Sequence, residues 1–127
     1  MVGKILVVED NELNQALIRD VLEYYGHEVI EAGNGAEGIE RARECHPDLI
    51  LLDIQMPVMD GFATIGALRN DPIPGLKKII ALTSFAMRGD RERIMAAGFD
   101  GYLTKPIDTR KLPQMVREWL GEEGEGG

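Results

Sequence analysis

Apolar residues along the chain form two kinds of pattern. Continuous runs occur at Ile5–Val8, Leu49–Leu52 and Ile79–Leu82, and none of these runs alternates with polar residues. Such runs are typical of strands that are buried on both faces, as in a parallel sheet covered by helices. Glu28–Glu31 and Gly101–Thr104 add two shorter strand candidates, so the pattern predicts five strands.

Between these runs, apolar residues recur at the three- and four-residue spacing of amphipathic helices. The first predicted helix carries Leu13, Leu17, Val21, Leu22 and Tyr25, with Asn11 as its N-cap and Gly26 at its end. The later helices carry Ala36, Ile39, Ala42 and Cys45, then Phe62, Ile65 and Leu68, then Ile94, Met95 and Ala97, and finally Leu112, Met115, Val116, Trp119 and Leu120. The fourth apolar stripe, within Arg88–Ala97, is thin, and a weakly anchored helix is a candidate for movement.

Strands that alternate with helices indicate an α/β fold with a parallel sheet and helices on both faces, because parallel strands need crossover connections. The chain has 127 residues, a length that suits one domain. We assign residues 1–120 to that domain. The Gly- and Glu-rich residues 121–127 contain nothing apolar to bury, and we predict that they are disordered.

The charge balance disfavours nucleic acid as a partner. The chain has 14 basic and 22 acidic residues and a formal net charge of −8, without a basic cluster. Cys45 is the single cysteine and cannot form an internal disulfide, which fits a reducing compartment. The first apolar run is too short for a signal peptide or a membrane span. We therefore expect a cytoplasmic protein that does not bind membranes.

Polar residues follow four of the predicted strands. Glu9 and Asp10 follow the first, Asp53 ends the third, Thr83 follows the fourth and Lys105 follows the fifth. Carboxyl ends of parallel strands meet at one edge of an open sheet, so these side chains should converge there. Each alone is an ordinary strand-end residue, but together they indicate a site. Carboxylates about 4 Å apart repel by roughly 1 kcal/mol in water and about 4 kcal/mol at an effective dielectric of 20, so the cluster needs either a cation or shifted pKa values.

Oxygen ligands with open positions for water suit Mg²⁺, and a carboxylate such as Asp53 can act as a covalent phosphoryl acceptor. A carboxylate-nucleophile phosphohydrolase is less well supported. It would need a further acid two residues after the nucleophile, where this chain has Gln55. A flavin carrier would need Gly and backbone N–H groups after the first strand, where this chain has acids.

With Glu9–Asp10, Asp53, Thr83 and Lys105–Pro106 at these positions, residues 3–120 resemble the receiver domain of two-component response regulators. The stretch Thr83–Asp90 and the lack of an output domain look most like single-domain receivers of the DivK type. The resemblance implies a flavodoxin-like doubly wound (βα)5 fold, with a five-stranded parallel sheet in the order 2-1-3-4-5.

The resemblance also implies roles for individual residues. Asp53 is the expected phosphoacceptor, and Mg²⁺, or Mn²⁺ as an alternative, is expected to bind Glu9, Asp10, Asp53 and the backbone carbonyl of Gln55. Thr83 and Lys105 are the expected phosphoryl contacts, Tyr102 is the expected switch residue, and the Lys105–Pro106 bond is expected to be cis. Gln55 and Phe85 occupy the positions that set the rate of phosphate loss, and a shielding Phe85 predicts slow hydrolysis.

The expected phosphoryl donor is a sensor histidine kinase or a histidine phosphotransfer protein. The expected downstream protein target binds the fourth helix, fifth strand and fifth helix, and no separate enzymatic activity is expected. Two alternatives stay open at this point. The chain could be a receiver module from a larger hybrid kinase or multidomain regulator, or a pseudo-receiver that binds partners without being phosphorylated.

Overall fold

A computed structural model describes residues 2–56, 59–84 and 88–121, in which strands and helices alternate along the chain. The strands are β1 (Lys4–Val8), β2 (Glu28–Ala32), β3 (Leu49–Asp53), β4 (Lys78–Thr83) and β5 (Gly101–Thr104), and the helices are α1 (Glu12–Tyr24), α2 (Gly35–Cys45), α3 (Gly61–Asn70), α4 (Arg88–Ala96) and α5 (Leu112–Trp119). The predicted order of elements is confirmed. Of the predicted tail, residues 122–127 lie outside the described residues.

The sheet has the predicted strand order, β2-β1-β3-β4-β5, and every neighbouring pair is parallel. In the register of the sheet, Asp53 lies opposite Leu82, and Thr83 lies opposite Thr104. The chain order reverses between β1 and β3, which is where a doubly wound sheet forms its ligand crevice. The acidic residues after β1 and at the end of β3 therefore meet at the same edge.

The core lies on both faces of the sheet, which explains the unbroken apolar runs. Leu49 and Leu51 of β3 pack on the face covered by α1 and α5, whereas Ile50 and Leu52 pack on the face covered by α2, α3 and α4. All four side chains are fully buried. Successive residues of a strand point to opposite faces, so two buried faces leave no position for a polar residue.

The prediction of which α1 residues face the core is wrong in part. Ile18 and Leu22 are buried, but Leu13 is 83% exposed, Leu17 is 43% exposed and Tyr25 is 52% exposed. Leu13 and Leu17 form one stripe, and Ile18 and Leu22 form another that is shifted by one residue, or about 100° around the helix. Because both stripes have helical spacing, periodicity alone could not select the inner one. Asn11 caps α1, and Gly26 follows it with φ +93°, as predicted.

Helix α4 is held by few apolar contacts, as its thin stripe predicted. Ile94 is its one fully buried residue among the side chains described, and Met95 is 48% exposed. The guanidinium carbon of Arg93 lies 4.8 Å from the centroid of the Phe62 ring on α3, a cation–π geometry. Polar and aromatic contacts thus replace much of the apolar packing that holds the other helices. Within the described ranges, no helix has the length and apolar character needed to cross a membrane.

Candidate functional site at the carboxyl edge of the sheet

Three carboxylates meet where β1 and β3 end. Oxygen atoms of Glu9, Asp10 and Asp53 all lie within 4.8 Å of one another. Glu9 is 1% exposed and Asp53 is 0% exposed, whereas Asp10 is exposed. The chain turns directly after this acidic pair because the Asn11 side chain accepts a hydrogen bond from the Asn14 N–H and starts α1. The predicted convergence of these acids is therefore present in the structure.

Lys105 brings a positive charge to the cluster. Its Nζ donates to Asp53 Oδ2 at 2.7 Å and to the two carboxylate oxygens of Glu9 at 3.3 Å each. The backbone N–H of Lys105 also donates to the carbonyl oxygen of Thr83 at 2.8 Å, and the Lys105–Pro106 bond is cis, as the resemblance implied. One ammonium group faces three carboxylates, so the cluster keeps an excess of negative charge.

The excess charge changes the ionisation of the buried groups. Burial, followed by the neighbouring Asp53 carboxylate, raises the pKa of Glu9 from its usual 4.5 to about 7. Burial alone would lower the pKa of Lys105, but the hydrogen bond and charge of Asp53 outweigh it and raise that pKa. At neutral pH the ammonium is therefore charged, while Glu9 holds a proton part of the time.

The donor set fits a hard divalent cation. Glu9, Asp10 and Asp53 offer only oxygen ligands, which Mg²⁺ prefers, and the exposed side of Asp10 leaves room for water. Burial and the neighbouring Asp53 carboxylate raise the pKa of Glu9, and a cation bound nearby would favour its charged form. These three side chains would hold the cation, and a role for the Gln55 backbone carbonyl remains a prediction.

The remaining predicted residues lie on the strands and loops around this cluster. Thr83 is fully buried at the end of β4, and Tyr102 is half-buried on β5 with the Arg91 guanidinium carbon 5.9 Å from its ring centroid. The backbone N–H of Gln55 donates to Asp53 Oδ1 at 2.8 Å, and its side-chain Oε1 accepts the Ser84 N–H at 2.9 Å. Phe85 lies outside the described residues.

Sequence reasoning missed two polar residues of α1 that support the cluster. Asn14 Nδ2 donates to Glu9 Oε1 at 2.8 Å. Gln15 Nε2 donates to the carbonyl oxygens of Glu9 at 3.3 Å and Ala32 at 3.1 Å, and so joins the ends of β1 and β2. The sequence signal for these two residues was the N-cap Asn11. A helix capped at Asn11 places its first turn next to the acidic pair. Polar residues on that turn were therefore candidates to contact the site.

Gly61 is a third residue that sequence reasoning did not identify. A Cβ atom at this position would lie 2.5 Å from the Ile54 Cα and 2.8 Å from the carbonyl oxygen of Asp53. The start of α3 therefore packs directly against the backbone that follows the Asp53 strand, and only a glycine permits that approach.

Comparison with known proteins identifies the family of this chain. The model of the response regulator receiver domain family matches residues 5–117. The polar-differentiation response regulator DivK of Brucella ovis is 42% identical over 122 residues, which cover 96% of this chain and 99% of that protein. DivK of Brucella anthropi has the same identity over the same length.

Solved structures give the same result. The receiver domain of sensor histidine kinase PA1611 from Pseudomonas aeruginosa has a TM-score of 0.84 and 35% identity, over 95% of this chain and 99% of that one, and holds a magnesium ion in its active site cleft. The chemotaxis response regulator CheY4 of Vibrio cholerae has a TM-score of 0.86 and 28% identity, over 94% and 99%. The family match over residues 5–117 and the identity to DivK show that this chain belongs to the response regulator receiver domain family.

Proposed function

We propose that this receiver accepts a phosphoryl group on Asp53 from a phosphohistidine and that the modification switches its partner-binding surface. The observation that carries the proposal is the environment of Asp53, whose Oδ2 lies 2.7 Å from Lys105 Nζ, within a cluster that includes Glu9 and Asp10. Phosphoryl transfer depends mainly on in-line positioning and on neutralising the charge of the phosphoryl oxygens. The Lys105 ammonium supplies part of that charge.

In the proposed step, a carboxylate oxygen of Asp53 attacks the phosphorus of the phosphohistidine. A bond between that oxygen and phosphorus forms while the phosphorus–nitrogen bond breaks, and its electron pair stays on the imidazole of the donor. Lys105 holds Asp53 Oδ2, and the Gln55 N–H holds Oδ1, so the carboxylate is oriented before the donor arrives. The donor is a sensor histidine kinase or a histidine phosphotransfer protein.

Magnesium, or manganese in its place, is the proposed cofactor. When bound, the cation supplies positive charge to the phosphoryl oxygens. Glu9, Asp10 and Asp53 are the side chains that hold it, and Asn14 keeps the Glu9 carboxylate in place through its 2.8 Å hydrogen bond.

Phosphorylation is proposed to regulate binding, without a separate catalytic activity on another substrate. Apart from accepting and slowly losing its own phosphoryl group, the receiver needs no further chemistry, and the position two residues after Asp53 holds a glutamine where a phosphohydrolase needs an acid. A receiver that exchanges phosphoryl groups with the kinase machinery of the cell acts in the cytoplasm, which is the location that we propose.

Two surfaces are proposed for partners. Leu13 and Leu17 form an exposed apolar stripe on α1, whose first turn contacts the acidic cluster through Asn14, and such a stripe suits docking of the phosphoryl donor. The downstream target is proposed to bind α4, β5 and α5. The sparse apolar anchoring of α4 and the half-buried position of Tyr102 support this surface, because weakly held elements are the ones that shift between two states.

Labelling with a small phosphodonor tests the proposal. In acetyl phosphate and Mg²⁺ the protein should gain one phosphoryl group, a mass increase of about 80 Da, and Asp53→Asn should gain none because an amide replaces the nucleophilic carboxylate. Asp71→Asn is the matched control, since Asp71 is an exposed acid that pairs with Arg43. Labelling of Asp53→Asn would falsify the acceptor assignment. An unlabelled wild-type protein would favour the pseudo-receiver alternative.

A further inference from the structure

Gln55 connects Asp53 to the segment that follows β4. Its backbone N–H donates to Asp53 Oδ1 at 2.8 Å, and its side-chain Oε1 accepts the backbone N–H of Ser84 at 2.9 Å. Two consecutive hydrogen bonds therefore link the carboxylate to a residue on the neighbouring strand's loop. The side-chain bond does not belong to the ladder between β3 and β4, whose last backbone bond in this region joins the Ile54 N–H to the Leu82 carbonyl oxygen at 3.1 Å.

Ser84 lies between the end of β4 and the start of α4 in the sequence. It follows Thr83, the last residue of β4, and lies four residues before Arg88, where α4 begins. Thr83 itself is fixed to the end of β5, because its carbonyl oxygen accepts the Lys105 N–H at 2.8 Å. The Gln55 side chain therefore holds Ser84, the residue after β4, from the loop that follows β3.

The surroundings of Gln55 leave α4 room to change position. Gln55 lines a cavity of about 180 Å³, whose wall among the described residues also includes Asp60, Asp90 and Arg93. Asp90 and Arg93 belong to α4, so the cavity separates that helix from the loop that carries Gln55. A helix with one fully buried side chain among those described, beside an open cavity, is held mainly by individual polar and aromatic contacts.

We propose that the Gln55 carboxamide is a latch, which holds Ser84, and through it the start of α4, in the arrangement of this structure. The bond is lost in any arrangement in which Ser84 moves away from the β3 loop, so it stabilises the observed arrangement relative to every such alternative. Gln55 is a positioning residue in this role and takes no part in bond formation. The link to signalling rests on the proposed function, but the latch itself does not.

Amide hydrogen exchange of the unphosphorylated protein, in EDTA and without a phosphodonor, tests the latch. Gln55→Met keeps the length of the side chain and the backbone N–H to Asp53 but removes the acceptor, so exchange at the Ser84 amide should become about two- to tenfold faster, the range for one neutral hydrogen bond. Amides of α4 should also exchange faster. Gln55→Glu keeps an acceptor oxygen at the same position and should protect Ser84 at least as well as wild type.

Gln114→Met is the matched control, because Gln114 lies on α5 and hydrogen-bonds to Glu118, away from the crevice. It should leave Ser84 exchange unchanged. Equal Ser84 exchange in wild type and Gln55→Met would overturn the latch, and so would equal acceleration in Gln55→Met and Gln55→Glu. Because no phosphoryl group is present in this measurement, its failure is separate from failure of the Asp53 labelling experiment, which tests the proposed function.

Discussion

The two edges of the sheet use charged side chains in different ways. At the amino edge, three charged side chains bind backbone groups: Asp48 Oδ2 accepts the Lys4 N–H at 2.8 Å, Lys4 Nζ donates to the Cys45 carbonyl at 2.9 Å, and Lys77 Nζ donates to the Leu120 carbonyl at 2.8 Å. At the carboxyl edge, the Lys105 ammonium binds Glu9 and Asp53, and a carboxylate oxygen of Asp10 lies within 4.8 Å of oxygens of both acids.

This difference separates side chains that stabilise the fold from side chains that serve the site. Charges at the amino edge satisfy backbone groups at strand and helix ends, so their removal leaves polar groups unpaired. Carboxylates at the carboxyl edge repel one another in the absence of a bound cation, so neutralising one of them relieves repulsion. We therefore expect neutralising substitutions to destabilise the amino edge and to stabilise the metal-free carboxyl edge.

The largest effect is expected from the ionisation of Glu9. Its pKa is raised from 4.5 to about 7 in the folded protein, so the folded state favours the protonated carboxyl. The resulting contribution to the free energy of unfolding is complete below pH 4.5 and is lost as the pH rises through 7. At 1.36 kcal/mol per pKa unit, the loss in free energy of unfolding is at most about 3 kcal/mol. Urea unfolding in EDTA from pH 4.5 to 8 should show this loss in wild type relative to Glu9→Gln.

The comparison of Glu9→Gln with wild type cancels the groups that the two proteins share. Glu44→Gln, which removes an exposed carboxylate of α2, is the matched control and should keep the pH dependence of wild type. If the difference between wild type and Glu9→Gln does not change with pH, the carboxyl edge does not hold an uncompensated charge, and the contrast between the two edges fails.

Magnesium should act on the carboxyl edge alone. Mg²⁺ that binds only the folded protein adds about 2.7 kcal/mol to the free energy of unfolding at 100 times its Kd. Asp10→Asn should reduce this gain, because the substitution removes a ligand whose carboxylate lies within 4.8 Å of the other two. The measurement is the shift of the thermal midpoint with Mg²⁺ concentration, and the same shift in both proteins would count against Asp10 as a ligand.

Asp48→Ala should destabilise the amino edge. It leaves the Lys4 N–H without the carboxylate that it binds at 2.8 Å, at a cost of about 1–3 kcal/mol. Asp48→Asn keeps an acceptor oxygen and should lose less free energy of unfolding than Asp48→Ala. Urea unfolding with and without Mg²⁺ should give the same loss, since Asp48 lies at the opposite edge from the acidic cluster. A loss that depends on Mg²⁺ would show that the two edges are coupled.

The positions of the site residues could be predicted because they follow from backbone topology. Once the apolar runs are assigned to parallel strands, the residues at their ends must meet at one edge, which places Glu9, Asp53 and Lys105 together without knowledge of any side-chain conformation. The raised pKa of Glu9 is less accessible, since it depends on burial that the sequence does not specify.

Side-chain directions outside the sheet could not be predicted in the same way. Leu13 and Leu17 have the spacing of a buried stripe, yet they face solvent, because the sheet contacts a stripe one residue further along α1. The bond from Ser84 to Gln55 joins two loops, where no periodicity constrains the side chain. The cluster was therefore predictable, whereas the contacts that orient it and link it to α4 required coordinates.

The smallest effect is expected from His27, which gives the amino edge a pH dependence opposite in sign to that of Glu9. His27 is 5% exposed, its Nδ1 accepts the Gly3 N–H at 3.0 Å, and burial lowers its pKa below 6.5. The folded protein therefore prefers the neutral ring, so the contribution of His27 to the free energy of unfolding is complete above pH 6.5 and is lost as the pH falls from 6.5 through the folded-state pKa.

His27→Asn keeps an acceptor near the Nδ1 position but does not titrate. The difference in free energy of unfolding between this variant and wild type, measured by urea unfolding, should change only below pH 6.5. His46→Asn is the matched control, because His46 is exposed at the end of α2 with φ 50°, which asparagine tolerates. If His27→Asn and His46→Asn change the pH dependence equally, burial of His27 is not its source, and the amino edge is insensitive to pH in this range.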